Sequence, residues 1–176
     1  MKRILLVVSL ISFAIACQQN QKSEATGNLP FFTFDQVIHY TVPVSKSELD
    51  SIIGKSEKSR KELGLLQIVT GNIPVSTQDS LFISNMDILG FEKEIIDPKK
   101  YEALANLFSK RQPTQPIQPS CKTGYTDILV FRNKGKFMGS VKLNFECQRH
   151  QMVGQRYNDA DFGQSGEYEA LKKLLE

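Results

Sequence analysis

The 176-residue chain has only two histidines and three cysteines. Any Ser-His or Cys-His mechanism must therefore run through His39 or His150, and neither stands in a known catalytic motif. The sequence has no phosphate-binding loop, dinucleotide fingerprint or paired-histidine zinc helix, which excludes the familiar nucleotide and metalloprotease chemistries. Gly163-Gln164-Ser165-Gly166 misses the Gly-x-Ser-x-Gly nucleophile elbow by one position and lacks its strand-to-helix setting, so Ser165 reads as a helix cap. No repeat with a period of about 20 to 50 residues is visible, which argues against solenoids and propellers. No apolar run reaches the roughly 20 residues that a membrane-spanning helix needs. Long charged blocks are also absent, and an apolar content of 40% places the chain among ordinary folded proteins.

What is present begins at the N-terminus. Met1-Lys2-Arg3 leads into an apolar run from Ile4 to Ile15, broken only by Ser9 and Ser12, and then into Ala16-Cys17. A basic start, about 7 to 15 apolar residues and small residues before a cleavage point make an export signal. Ala14-Ile15-Ala16-Cys17 resembles the lipobox of bacterial lipoproteins, in which a signal peptidase cuts before a diacylglyceryl-modified cysteine. The resemblance implies that residues 1–16 are removed and that Cys17 carries palmitate-type lipid. It also implies that the chain's first partner is a membrane. Gln18 stands where an Asp would signal inner-membrane retention, so the resemblance points to the outer membrane of a two-membrane host, with the face left open. In plan the chain is similar to small envelope lipoproteins of Gram-negative bacteria, a likeness that transfers no activity.

Taking 16 residues from 176 leaves 160 and removes Lys2 and Arg3, so Lys plus Arg falls from 22 to 20 against 19 acidic residues. A net charge near +1 supplies no strong field, and nucleic acid is not an expected partner. Residues 18–28 contain no large apolar side chain and read as a tether with a span of roughly 18 Å. The resulting organisation is a signal at 1–16, lipidated Cys17 with its tether at 17–28, and one globular domain at 29–176.

Along the domain, alternation over Val37–Val44 predicts a strand ending at an edge or outside the sheet because of Pro43. Ser47 and Asp50 suggest a capped surface helix that runs into the polar stretch from Lys55 to Glu62. Leu65–Val69 and Leu81–Leu89 read as strands separated by Gly71, Asn72 and Pro74. Asp97-Pro98 opens a helix carrying Tyr101, Leu104, Ala105 and Phe108 on one face and closed by Lys110 and Arg111. Gln112-Pro113, Gln115-Pro116 and Gln118-Pro119 form a polyproline-type segment, either a stiff spacer or a ligand for aromatic grooves. Glu167–Glu176 reads as an amphipathic helix docked on the sheet.

Asp127–Cys147 predicts a hairpin whose second strand is half-buried, with a three-residue loop Asn133-Lys134-Gly135. That register faces Phe131 with Phe137, Leu129 with Gly139 and Cys121 with Cys147, and so predicts a disulfide between the two cysteines. Export favours its oxidation. The competing use of these thiols is a metal site of Cys121, Cys147 and His150, with His39 as a further ligand. Asn158, Asp159, Asp161, Ser165 and Glu167 have calcium-loop-like spacing, but Gln164 and Ala170 replace the turn glycine and the bidentate glutamate.

The expected fold is α+β: a mainly antiparallel, disulfide-pinned sheet with two or three helices packed on it. No cofactor or metal and no catalytic residue is assigned. The expected function is a non-enzymatic binding module held at the envelope, its partner an envelope protein, a glycan or a small ligand. Phe31, Phe32 and Phe34 are candidates for its surface, although a first edge strand is the plainer use of them. The alternative is a hydrolase of envelope polymers that uses carboxylates distant in sequence.

Overall fold

A computed structural model describes residues 29–114, 116 and 124–176. Five α-helices occur among the described residues: α1 Lys46–Gly54, α2 Arg60–Val69, α3 Leu81–Leu89, α4 Tyr101–Leu107 and α5 Glu167–Leu175. The strands are β1 Leu29–Pro30, β2 Gln36–Thr41, β3 Glu92–Ile95, β4 Ser109–Lys110, β5 Asp127–Asn133, β6 Lys136–Asn144 and β7 Arg149–Val153. Five of them form an antiparallel sheet in the order β3-β2-β5-β6-β7, and β1 pairs with β4 in a second, two-stranded one. The class is α+β, as expected.

The strands β5 and, along most of its length, β6 are buried on both faces, which the expectation of a half-buried second hairpin strand missed, while the edge strand β3 is exposed. On one face Val37, Leu129, Phe131, Val141 and Leu143 pack with Leu104 of α4, Leu171 of α5 and the rings of Phe31 and Phe32. On the other, Tyr40, Ile128 and Val130 pack with Leu49 of α1, Leu65 and Ile68 of α2 and Phe82 and Met86 of α3. Helices on both sides explain why five were needed where two or three were expected. Phe31 and Phe32 are core residues, with Phe32 stacked on Phe131 at 4.3 Å between ring centres. They follow β1 rather than forming an edge strand.

Residues 65–69 and 81–89 are helical, against their reading as strands. Ser59 caps α2, accepting from Glu62 N while the Glu62 carboxylate accepts from Ser59 N, a reciprocal box that fixes a helix start. In α3 the residues Phe82, Ile83, Met86 and Leu89 recur at helical spacing, and Gly90, at φ 88°, ends it. The cap of α1 is Ser45 with Glu48 rather than Ser47 with Asp50. Asp97 does cap its helix start through Lys99 N at 2.9 Å, although the first turn, Pro98–Lys100, is 3₁₀. Lys110 does not close α4; it belongs to β4. β2 ends at Thr41, short of Pro43, and lies inside the sheet between β3 and β5. α5 runs as expected, but Gly166 rather than Ser165 is its N-cap; Ser165 instead donates its amide to Glu167 Oε2 at 2.8 Å.

The hairpin register also differs. Its loop is two residues, Lys134-Gly135, both at positive φ, and Asn133 faces Lys136. One extra residue, Met138, then enters β6 as a bulge, because Arg132 faces Phe137 whereas Phe131 faces Gly139. A two-residue loop alone would have moved every side chain to the opposite face, and the bulge restores the faces. The ladder is therefore displaced by two residues from the expected one: Leu129 faces Val141, not Gly139. β6 stops at Asn144, and Cys147 sits in the turn before β7. The ladder argument for facing cysteines therefore fails; Cys121 lies outside the described residues.

Candidate functional site

The sequence-nominated residues scatter. Cys17 and the tether 18–28 lie outside the described residues, as do Gln115 and 117–123. Cys147 is fully buried, its amide held by the Asn144 side chain at 2.9 Å. His39 is remote from His150 in role: its Nε2 pairs with Asp127 Oδ1 at 2.8 Å across β2 and β5. His150 has both ring nitrogens engaged, Nδ1 with the Tyr168 hydroxyl at 2.8 Å and Nε2 with Asp159 Oδ2 at 3.4 Å. The hydrogen bond from His150 holds the Asp159 carboxyl below its ordinary value, and burial raises the Tyr168 phenol. These three side chains bind β7, the loop before α5 and α5 itself to one another. Within the loop that resembles a calcium site, Asp159 is thus turned to a histidine, Glu167 is buried and accepts from Ser165, and Asn158 accepts from Ala160 N. Among the described residues no three His, Cys, Asp or Glu side chains come together as a metal site.

A second buried polar group went unnoticed in the sequence. Lys142 of β6 is 1% exposed and donates to three backbone carbonyls, of Ile68 at 2.9 Å, Gly71 at 2.7 Å and Ile73 at 3.0 Å. Ile68 is in the last turn of α2, where carbonyls lack helical partners and a cation is favoured. The ammonium thus caps α2 and holds the following loop. Its burial pushes the pKa down to about 8.

The feature with the character of a binding site lies on the outer side of the helical layer formed by α2 and α3. A groove of about 430 Å³ runs between them, a size within the range of small-molecule sites, roughly 300 to 1,000 Å³. Gly64 and Ile68 of α2, Ile88 and Leu89 of α3 and Ile73 of the connecting loop supply its apolar lining. Leu81 and Ile88 are each 78% exposed and Val75 is 72% exposed, so the outer surface of α3 and the loop before it is apolar as well as solvated. A second groove of about 350 Å³, lined by Val44, Ile52 and Leu65, adjoins the other flank of α2 and shares Lys61 and Leu89 with the first.

No family matches. The chain fits no protein-family model, and no curated protein or solved structure is similar to it. Four grooves are described, and none is lined by more than one carboxylate; the groove nearest His150, about 200 Å³, has none. The α2–α3 groove escaped the sequence reading because both of its walls were taken for strands. Two signals were available: the Ser59-x-x-Glu62 capping pattern ahead of α2, and the helical recurrence of Phe82, Met86 and Leu89 ahead of Gly90.

Proposed function

We propose that the chain is an exported lipoprotein, held at the envelope by lipid on Cys17 after removal of residues 1–16, whose folded domain is a non-enzymatic binding module. The observation that carries the binding reading is the open α2–α3 groove, with the largely exposed Ile88 in its lining and Leu81 equally exposed on the same helix. An aliphatic side chain this exposed on the rim of a groove is available to be covered by a bound molecule. A hydrolase of the expected type needs two carboxyl groups about 5 to 9.5 Å apart in a cleft; the grooves described do not offer such a pair. We also infer that Cys147 pairs with Cys121. Burial of Cys147 and export to an oxidising compartment support the pairing, in place of the ladder register. The outer membrane is the proposed location, on the strength of Gln18.

The test uses two readouts in cells. Labelled palmitate should enter the wild-type protein and not Cys17→Ala. A photo-crosslinking residue at position 88 should give a discrete adduct, whereas one at the exposed position 172 on α5 should not. Absence of label would remove the anchor, and equal capture from both positions would remove the groove as the binding surface.

A further inference from the structure

The α2–α3 groove is charged at one end only. Arg60 and Lys61 stand exposed in the first turn of α2, and among the described residues neither is in an ion pair. Nearby cations behave differently: Lys55 is paired with Glu62, and Lys93 with Asp87. No Asp or Glu lines the groove. From position 60 to position 68 the helix rises roughly 12 Å, so this positive charge sits at one end of a trough about that long, whose aliphatic lining is interrupted by the uncharged polar side chains of Gln67 and Asn85.

The floor of the trough is open because position 64 is glycine. A Cβ built there would meet only the Leu89 methyls, at 3.5 and 3.7 Å, an ordinary contact. The backbone is regular helix, so neither a steric clash nor an unusual dihedral demands glycine at this point. Glycine in a helix interior weakens the helix relative to alanine. What it provides here is space in the groove beside Leu89.

We propose that the groove binds a single-chain anionic amphiphile, its carboxylate or phosphate head held by Arg60 and Lys61 and its acyl chain laid over Gly64 toward Ile73. This names a ligand class for the groove and rests on its assignment as the binding surface. A cationic end and an aliphatic body match the two parts of such a molecule, and charge-assisted hydrogen bonds to the head are about twice as strong as neutral ones. The lipid anchor proposed on Cys17, with a tether spanning roughly 18 Å, keeps the groove where acyl chains are abundant.

The test titrates the mature chain carrying Cys17→Ala, so that no attached lipid competes, with sodium decanoate below its micellar concentration. Amide NMR shifts at Gly64 and Ile88 are the readout. Saturable one-to-one binding is expected, strengthening roughly fourfold per added methylene until the chain outruns the groove. The double variant Arg60→Gln with Lys61→Gln should weaken it at least tenfold, and decyltrimethylammonium should bind far more weakly than decanoate. Gly64→Leu, which fills the floor, should abolish binding while leaving the melting temperature unchanged or higher. No saturable shift, or equal binding of the cationic amphiphile, would overturn the proposal. Crosslinking from position 88 that is lost in Gly64→Leu yet indifferent to decanoate would also overturn it, leaving the groove as a binding surface for a protein segment.

Discussion

Lys142 is the residue whose burial asks most of the fold. A lone ammonium removed from water costs several kcal/mol unless its donors are met, and here three carbonyls meet them. Lys142→Met removes the charge but strands the carbonyls of Ile68, Gly71 and Ile73, so a loss of about 1–3 kcal/mol at neutral pH is expected in urea unfolding. The pH dependence separates this lysine from every other group. Its folded pKa of about 8 lies below the ordinary 10.5 of a lysine. Below pH 8 both states carry the proton; between 8 and 10.5 the folded protein has shed it while the unfolded chain keeps it, so this group makes stability rise with pH across that window. The full gain is up to about 3 kcal/mol. Tyr168, whose phenol is raised by burial, opposes it above pH 10, where the unfolded phenol ionises first. The wild type minus Lys142→Met difference should therefore change between pH 7 and 9.5 in the direction that favours wild type; a flat difference would show that the lysine keeps its proton in the folded state across that range.

At the scale of elements, capping decides where the helices start and the register decides which faces they cover. Ser59→Ala should cost about 1 kcal/mol by removing the α2 box, and Ser45→Ala about the same in α1. Ser47→Ala, at the position that sequence reasoning favoured as the cap, should cost only a few tenths in the same urea melts, because Ser47 is already inside the helix. Equal costs at 45 and 47 would mean that the α1 start is misplaced. The legible elements were those with both a periodic apolar face and a strong boundary residue: α5 after Gly166, the Asp97 start ahead of α4, and the hairpin strands on either side of Lys134-Gly135. The illegible ones had a misleading local signal. Ile68-Val69 and Phe82-Ile83 are short apolar runs that periodicity over a few residues cannot separate from strands. The β6 face of Ser140, Lys142 and Asn144 reads as solvated because it is polar, yet all three are buried, Lys142 and Asn144 against the backbone carbonyls they bind. The groove was lost with α2 and α3, since a site made between two helices has no signature once neither helix is recognised.

At the scale of the whole molecule, the sheet separates two cores, and the chain crosses between them at the ends of β5 and β6. Tyr125 N bonds Val69 O at 2.8 Å on the α2 side, while Asn144 Nδ2 reaches Gly124 O at 2.6 Å and Asn144 Oδ1 holds the Cys147 amide. A Cys121–Cys147 bridge would close the segment that runs from just before this junction, around the hairpin and back to it. Closing a loop of roughly 27 residues contributes on the order of 3.5 kcal/mol in the chain-entropy model. For a domain near 150 residues that corresponds to about 10 °C in melting temperature. The expected outcome is a melt of the oxidised protein about 10 °C above that of Cys121→Ser, with reductant lowering the first to meet the second and leaving the second unmoved. The same melts test the metal alternative, because a thiolate site would make stability depend on chelator instead of reductant. His150 argues against that outcome: a ligand nitrogen needs a free lone pair, and both of its nitrogens are already committed, one to Tyr168 and one to Asp159. A chelator-sensitive, reductant-insensitive melt would require that cluster to open, which Tyr168→Phe would then make easier; stability independent of both reagents would leave the two thiols unlinked and return the stability of this junction to Asn144 and Lys142 alone.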